Sequence, residues 1–516
     1  MEAAFANLLA SADAVAVYLA SSAFAHDVYA VLAANWTALQ VTIVVVALVI
    51  LVSSADDLLV DVAFWAIMIG DFLFGRPGNV PMSKVRKKPE RWAAIMVPAW
   101  REAGVIGHMV ANTAATTGYT NFHIFVGTYP NDPETRRVLD EIKKTVPNLN
   151  VVVNPRPGPT SKADCLNAVL EEIFAFEKRN ALQFGMFMLH DAEDVVHAFG
   201  LKAANWFIDG YGMIQLPVLS VDRNPWAFVA CHYMDEFAEW HTKDLVVRSR
   251  LTKMTPSAGV ATAFSREAIV ALWKDRDGQP FNVESLTEDY DIAHRLRELG
   301  FPSRFVRYWA WVPSSRLPWL AGRRELVATK ELFPDTVRAS YRQKARWTLG
   351  ISYFGWRHLR WSGTLLNRYF LWRDRKALIT APVAMLGYLL VLEYLAYAGL
   401  RLFLPELANL PPLVEQAWVW RIIEINLLFL AIRLAHRALF TGYAHGLNYV
   451  WLSPLRAVVA NYIAFLAFLR ALRIFLKHAL TGRAIKWDKT KHSYPAFAQV
   501  AALNGNGGGQ AYAKAA

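Results

Sequence analysis

The sequence predicts an α/β domain, a mostly parallel sheet with helices on both faces, inserted between transmembrane or interfacial α-helices near the two ends of the chain. Three observations predict it. From about residue 91 to 313, short apolar runs of strand length alternate with helical patterns. Apolar segments flank that stretch at 36–52 and 377–404. Hydrophobic residues make up 54% of the 516 residues and charged residues 19%, against about 25% charged in ordinary soluble domains. The chain is therefore partly a lipid-facing one, with a water-facing domain between.

Residues 1–80 read as an N-terminal membrane anchor. The run 36–52 is long enough to cross as a helix. No basic region precedes it and no small-residue cleavage site follows, so it reads as a retained anchor. Asp56, Asp57 and Asp61 interrupt the pattern. Residues 58–74 resume it amphipathically, as a second span or an interfacial helix. Lys84, Arg86, Lys87, Lys88 and Arg91 follow, which places 90–313 in the cytoplasm by the positive-inside rule. In that region the strand candidates are 93–97, 123–127, 150–153, 186–189 and 213–216, with a helix at 162–176 among those between them. Ligands of such sheets sit beyond the carboxyl ends of the strands. Val97-Pro98-Ala99-Trp100 and Leu189-His190-Asp191 mark two such ends.

Residues 314–376 read as interfacial helices. From Arg323 to Lys376 there are thirteen Lys/Arg against four Asp/Glu, with Trp319, Trp347, Trp356, Trp361 and Trp372 interleaved or adjacent. Between flanking apolar spans, that mixture suits anionic lipid headgroups rather than nucleic acid. Residues 377–480 hold the C-terminal membrane helices. The run 377–404 is a span despite Glu393, and 418–432 is a weaker one that contains Arg421 and Glu424. The segment 457–469 is short for a crossing and reads as an interfacial helix. Its basic flanks (Arg456; Lys477, Arg483, Lys486) fit one cytoplasmic face, and the loop with Glu406 and Glu415 would face outward. Three to five spans result. Residues 481–516 are a basic segment and, from Asn504, a glycine-rich flexible tail. Cys165 and Cys231 are too few for a disulfide framework and fit a reducing compartment.

Three short motifs carry chemistry. Asp191-Ala192-Glu193-Asp194 leaves an apolar strand. Carboxylates two apart at such an exit can share a hard divalent cation with the phosphates of a nucleotide. Thr287-Glu288-Asp289 precedes a helix that stops at Gly300. Thr287 can cap that helix, and the dipole favours ionised Glu288 and Asp289, suited to take a proton from a hydroxyl. The same pattern is also an ordinary capping sequence. Gln343, Arg346 and Trp347 fall on one helical face, offering a hydrogen bond, a phosphate partner and a flat apolar surface. On the nucleotide side, Glu102 after the first strand can hold uridine or ribose, and Asp132 after the second can contact the base. Lys162 and Asp164 open the helix at 162–176 and are candidates for the diphosphate end. The loop before Lys162 lacks the second Gly of a Walker A motif, which argues against a P-loop ATPase. Residues 212–217 and 257–260 are weaker candidates for acceptor-side loops.

Together Val-Pro-Ala-Trp-Arg-Glu at 97–102, Asp-Ala-Glu at 191–193, Thr-Glu-Asp at 287–289 and Gln-x-x-Arg-Trp at 343–347 resemble the membrane-integrated family 2 glycosyltransferases. Cellulose, hyaluronan and chitin synthases belong there. Phe-Val-Gly-Thr-Tyr-Pro-Asn-Asp at 125–132, Leu-His-Asp-Ala-Glu-Asp at 189–194 and Trp-Asp-Lys-Thr-Lys-His at 487–492 are similar to the phage-adsorption type of bacterial inner-membrane glycosyltransferase. The resemblance implies a nucleotide-sugar-binding domain of the GT-A type, an inverting mechanism, and a UDP-sugar donor with Mg2+ or Mn2+. It assigns metal and diphosphate contact to Asp191 and Glu193, and the base to Asp289 with Glu288 beside it. It assigns acceptor and diphosphate contact to Gln343, Arg346 and Trp347, with Thr287 beside them, and uridine contact to Asp132. The family usually writes the metal motif Asp-x-Asp. Here Glu193 stands third and Asp194 next, and either acid can be the second ligand.

The expected protein is a multi-pass enzyme of the bacterial inner membrane with its catalytic domain in the cytoplasm. It would add sugar from a UDP-hexose or UDP-N-acetylhexosamine to a growing polysaccharide and pass the product across the bilayer. Membrane lipid, a periplasmic or outer-membrane export partner and a cyclic di-GMP-sensing partner are the expected associates, with no nucleic acid. The last follows because relatives of the phage-adsorption type carry a C-terminal domain for that messenger, which this sequence lacks. The alternatives are a non-processive transferase acting on a lipid or protein, and a phage-receptor or exopolysaccharide scaffold with a degenerate transferase domain.

Overall fold

The computed structural model describes residues 22–75, 80–312, 323–403, 407, 409–482 and 493–495. Expectations for 314–322, Glu406, Arg483, Lys486, 487–492 and the tail from Asn504 fall outside them. The chain divides into two compact units, Met1–Leu58 with Ile379–Arg433, and Leu59–Leu378 with Leu434–Ala516.

In the first unit, Trp36 sits against Leu407, Leu410 and Leu413. Its indole N–H donates to the Pro411 carbonyl at 3.1 Å, and its ring meets Tyr397 edge-on. The interruption at Asp56, Asp57 and Asp61 does not break the helix. Ser22–Leu73 is one helix of 52 residues, about 78 Å long at 1.5 Å per residue. The acids survive in it because they are partnered. Asp57 pairs with Arg433 in the first unit, and Asp61 pairs with Lys243 in the second. Among the described residues three helices are long and apolar enough to cross a membrane, at His26–Leu73, Ala377–Phe403 and Ser453–Thr481. Ala417–His445 is a helix of 29 residues but is not among them.

The second unit is built on a seven-stranded sheet. Its strands are β1 (Ala93–Pro98), β2 (Phe122–Thr128), β3 (Leu149–Val153), β4 (Met186–Leu189), β5 (Met213–Gln215), β7 (Thr262–Ser265) and β8 (Ser303–Phe305), while β6 (Val218–Ser220) lies outside it. The order is β3-β2-β1-β4-β7-β5-β8. Only β7 runs against its neighbours β4 and β5. The strands read as continuous apolar runs because both faces are covered. Along β1, Ile95 and Val97 enter one core with Ile106, Met109 and Val110 of the helix Ile106–Thr116. Ala94 and Met96 enter the other, against Leu166, Val169 and Ile173 of the helix Lys162–Asn180. The five strands read from sequence are all present. The reversed β7 was not foreseen, because four residues give too short an alternation to recognise.

This topology gathers the functional segments at one sheet edge. β1 and β4 deliver their carboxyl ends there, and β7, running the other way, starts there. Residues 98–102, 191–193 and 258–259 are therefore neighbours.

The segment expected to be a short interfacial helix is part of Ser453–Thr481, 29 residues long. Arg456 is not a lipid-facing flank. It is fully buried and grips Asp235 through Nε and Nη2 at 2.7 and 2.8 Å. Nη2 also donates to the Tyr449 carbonyl at 2.6 Å. Further along, Ala467 and Ala471 pack on Ala345 and Leu349; their small side chains let the backbones approach. Removing one partner strands a buried charge, so Asp235→Ala is expected to lower stability by about 3–5 kcal/mol. The double replacement Asp235→Leu with Arg456→Met should recover most of it. Thermal midpoints of the detergent-solubilised chain measure both.

Candidate active site

A cavity of 130 Å³ at this edge is lined by Trp100, Glu102, Lys162, Asp191, Glu193, Thr287, Glu288, Asp289, Glu331, Gln343, Arg346 and Trp347, with Tyr129, Cys165 and Ala258 among the rest. The three motifs thus meet around one space. Asp132 and Asp164 do not line it. Asp132 caps the helix Pro133–Lys143 and accepts the Arg101 amide at 2.6 Å. Asp164 accepts from Asn154 Nδ2 at 3.1 Å and pairs with Arg156. Both carboxylates are engaged in holding the loops after β1, β2 and β3.

Lys162 is the central cation. It is the first residue of its helix, capped by Ser161, whose hydroxyl accepts the Asp164 amide. Its Nζ lies 2.5 Å from Asp191 Oδ1 and donates to the Gly259 carbonyl at 3.3 Å. Burial opposes its charge, but Asp191, Glu288 and Asp289 outweigh that and hold it above the ordinary lysine range.

The acids around it repel one another. Glu288 is pushed up to about 7 by burial and then by Asp289, against the pull of Lys162. Asp289 is also raised, mainly by burial, with Lys162 and Arg346 opposing. The expected dipole effect of the helix Glu288–Glu298 is thus overridden. Thr287 stands at its N-cap without a side-chain capping bond. Instead, a Cβ at Gly350 would collide with the Thr287 side chain. On the other side, a Cβ at Gly259 would collide with the Asp289 carboxylate, and Gly259 has φ +79°. The Thr287–Asp289 turn is therefore clamped between two glycines.

Asp194, one of the two acids that could complete the metal pair, turns away from the cavity. Its Oδ2 meets His190 Nδ1 at 2.7 Å and accepts the Asp191 amide at 3.2 Å. Burial holds His190 down to about 3, so the ring is neutral. Glu193 is the one that lines the cavity. Among the described residues no three His, Cys, Asp or Glu side chains form a ligand set by themselves. Two carboxylates completed by phosphate oxygens are, however, what Mg2+-type ions use. The residues present fit such an ion.

Glu331 was missed by sequence reasoning. It ends β11 (Thr329–Glu331), which pairs in parallel with β6, and faces the same cavity. Burial and then Asp194, Asp191 and Glu193 raise it well above the usual carboxylate range. Nothing near it in sequence marks it, since its neighbours come from distant segments.

Gln343, Arg346 and Trp347 lie on the helix Val337–Trp347. Gln343 Oε1 accepts from Tyr233 Oη at 2.9 Å. Lys344 pairs with Glu236 at 2.5 Å, and Trp347 meets Tyr233 edge-on. Residues 257–260 do reach the site, whereas 212–217 form β5. Gln215 supports the loop from below, accepting the Ala258 amide at 2.9 Å.

Residues 89–350 match the family described as "Glycosyltransferase like family 2". The chain belongs to that family. Its central sheet with covering helices is the expected GT-A-type α/β domain. Over 472 residues it is 40% identical to bacteriophage adsorption protein B of Escherichia coli (strain K12). The bacteriophage N4 adsorption protein B of Escherichia coli O157:H7 matches with the same figures. The match covers 90% of this chain but 63% of those relatives, so the chain spans under two thirds of their length. A mannosyltransferase from Pyrobaculum calidifontis, solved with GDP-mannose and Mn2+, is similar at 14% identity and TM-score 0.47, covering 81% of this chain and 99% of its own.

Two outcomes follow from the site. Gly259→Ala should displace Asp289 and cut turnover strongly, with the thermal midpoint also lowered by the strain of an alanine at φ +79°, read as turnover that stays lost at temperatures well below that midpoint. A carboxyl raised to about 7 keeps its proton below that pH and loses it above. Turnover should therefore rise as pH passes 7, when ionised Glu288 raises the basicity of the neighbouring Asp289 carboxylate. In Glu288→Gln that step should vanish and the remaining acidic limb should lie lower, as a pH–kcat profile would record.

Proposed function

We propose that this chain is an inverting, metal-dependent glycosyltransferase of a bacterial inner membrane. It takes sugar from a UDP-hexose or UDP-N-acetylhexosamine and adds it to a growing polysaccharide on the cytoplasmic side. The observation that carries the reading is the meeting of Asp191, Asp289, Arg346 and Lys162 around one cavity, although 184 positions separate Lys162 from Arg346 in sequence.

Each residue has a role that its chemistry suits. Asp289 has Oδ1 held by the Tyr290 amide at 2.8 Å, leaving the other oxygen to take the proton of the acceptor hydroxyl as that oxygen attacks the anomeric carbon. One displacement, from the face opposite the diphosphate, inverts that centre. Lys162 and Arg346 are the two cations able to neutralise the departing UDP. Asp191 and Glu193 would hold Mg2+ or Mn2+, which when bound supplies further charge to the leaving diphosphate. Trp347 offers a face to the acceptor ring, and Gln343, fixed by Tyr233, offers a hydrogen bond. Glu102 beyond β1 suits the ribose end. The three helices able to cross a membrane support delivery of product to the bilayer. An export partner beyond it and a cyclic di-GMP-sensing partner complete the proposal.

Purified chain with a panel of UDP-sugars and Mn2+ tests it. Asp289→Asn should bind UDP as well as the parent while transfer falls by roughly 10²–10⁴-fold, the range of a lost general base. Asp191→Ala should lose Mn2+-dependent UDP binding. Undiminished transfer by Asp289→Asn removes the base, and a single-sugar product by mass spectrometry removes the polysaccharide.

A further inference from the structure

A second cavity, of 650 Å³, opens elsewhere in the second unit, lined by Val80, Lys84, Lys87, Lys88, Trp206, Phe207, Asp209, Tyr211 and Arg304. Three lysines and an arginine face it with one acid. That acid is already engaged, because Asp209 pairs with Lys88 and with Arg91. Among the described residues no carboxylate pairs with Lys84 or Lys87, which stand exposed on and beside the short helix Met82–Lys87. Arg304 is held flat, its guanidinium carbon 5.4 Å from the Phe207 ring and 5.6 Å from the Tyr211 ring. Lys88 Nζ lies 5.6 Å from the Trp206 ring. The groove therefore combines two lysines, Lys84 and Lys87, that have no carboxylate partner among the described residues with aromatic walls beside Arg304 and Lys88.

Its position adds a second argument. Val80, at the rim, is seven residues beyond the end of the membrane-length helix at Leu73 and is anchored through its carbonyl to Tyr308 Oη at 3.1 Å. A basic, Trp-bearing pocket this close to a span lies within reach of headgroups. Its size suits a ligand larger than a simple ion.

We propose that this groove is a binding site for a phosphodiester anion, with Lys84, Lys87 and Arg304 taking the phosphate and Trp206 and Tyr211 packing against the glycerol or acyl portion. Two sources carry that chemistry: an anionic phospholipid headgroup and a soluble phosphodiester. The site is separate from the catalytic cavity and does not depend on the activity proposed there.

The test uses the full chain in non-ionic detergent and follows the thermal midpoint. One arm titrates phosphatidylglycerol in mixed micelles, a second its water-soluble headgroup glycerophosphoglycerol, and a third zwitterionic phosphatidylcholine. The double variant Lys84→Gln/Lys87→Gln is compared with Lys143→Gln/Lys144→Gln, which removes the same charge elsewhere. A saturable rise in one of the first two arms, weakened roughly thirtyfold in the groove variant alone, supports the site; each lysine near an anion contributes about a factor of five. The arm that responds identifies the source. No saturable rise with either phosphodiester, an equal rise with phosphatidylcholine, or equal weakening in both variants overturns the proposal.

Discussion

The candidate site depends on one buried ammonium. Lys162 stands where Asp191, Glu288 and Asp289 converge, with Glu193 and Glu331 in the same cavity wall. Five carboxylates in so small a space would repel strongly without a cation, and burial further disfavours the ionised forms of Glu288, Asp289 and Glu331. The first turn of the helix Lys162–Asn180 adds its own positive end. The surplus of negative charge that one lysine only partly relieves is of the kind a divalent cation would reduce further.

That cluster is tied mechanically to the helices at the end of the chain. The helix Phe228–Glu239 stands between them. On one side Tyr233 holds Gln343 and Glu236 holds Lys344. On the other, Asp235 takes Arg456 and the Thr441 hydroxyl, the latter at 2.9 Å. Burial would raise Glu236, but Lys344, His232 and Arg437 outweigh it and hold it down to about 2. The Glu236 carboxylate therefore stays ionised through the neutral range, while burial holds its partner Lys344 below the ordinary lysine range, so the pair is lost in strong acid and weakens in base. π-helical turns follow both partners, at Trp240–Asp244 and Thr348–Phe354. Such turns re-aim side chains at functional positions, and Gly350 against Thr287 is the contact the second of them makes possible.

Much of this was legible in the residues. Continuous apolar runs marked β1 to β5, and acids at strand exits marked the mouth of the cavity. What was not legible came from tertiary partners. Asp132 and Asp164 looked like ligand groups because acids at loop starts often are, but neighbouring amides and Arg156 claim them. Glu331 looked like an incidental acid in a basic stretch until β6 paired with its strand. Arg456 read as a basic flank on the cytoplasmic face, since the sequence offers no sign that Asp235, 221 residues earlier, would bury it. The acids at 56–61 read as a break for the same reason. A charge is interpretable from sequence only when its partner lies nearby in the chain.

The central claim is that the acids around Lys162 hold a divalent cation together with the donor diphosphate. Electron paramagnetic resonance of Mn2+ bound to the purified chain with UDP carrying 17O in its β-phosphate tests it most directly. The account predicts line broadening from the labelled oxygen, absent in Asp191→Asn. A free-Mn2+ spectrum, or broadening that Asp191→Asn leaves unchanged, would contradict it.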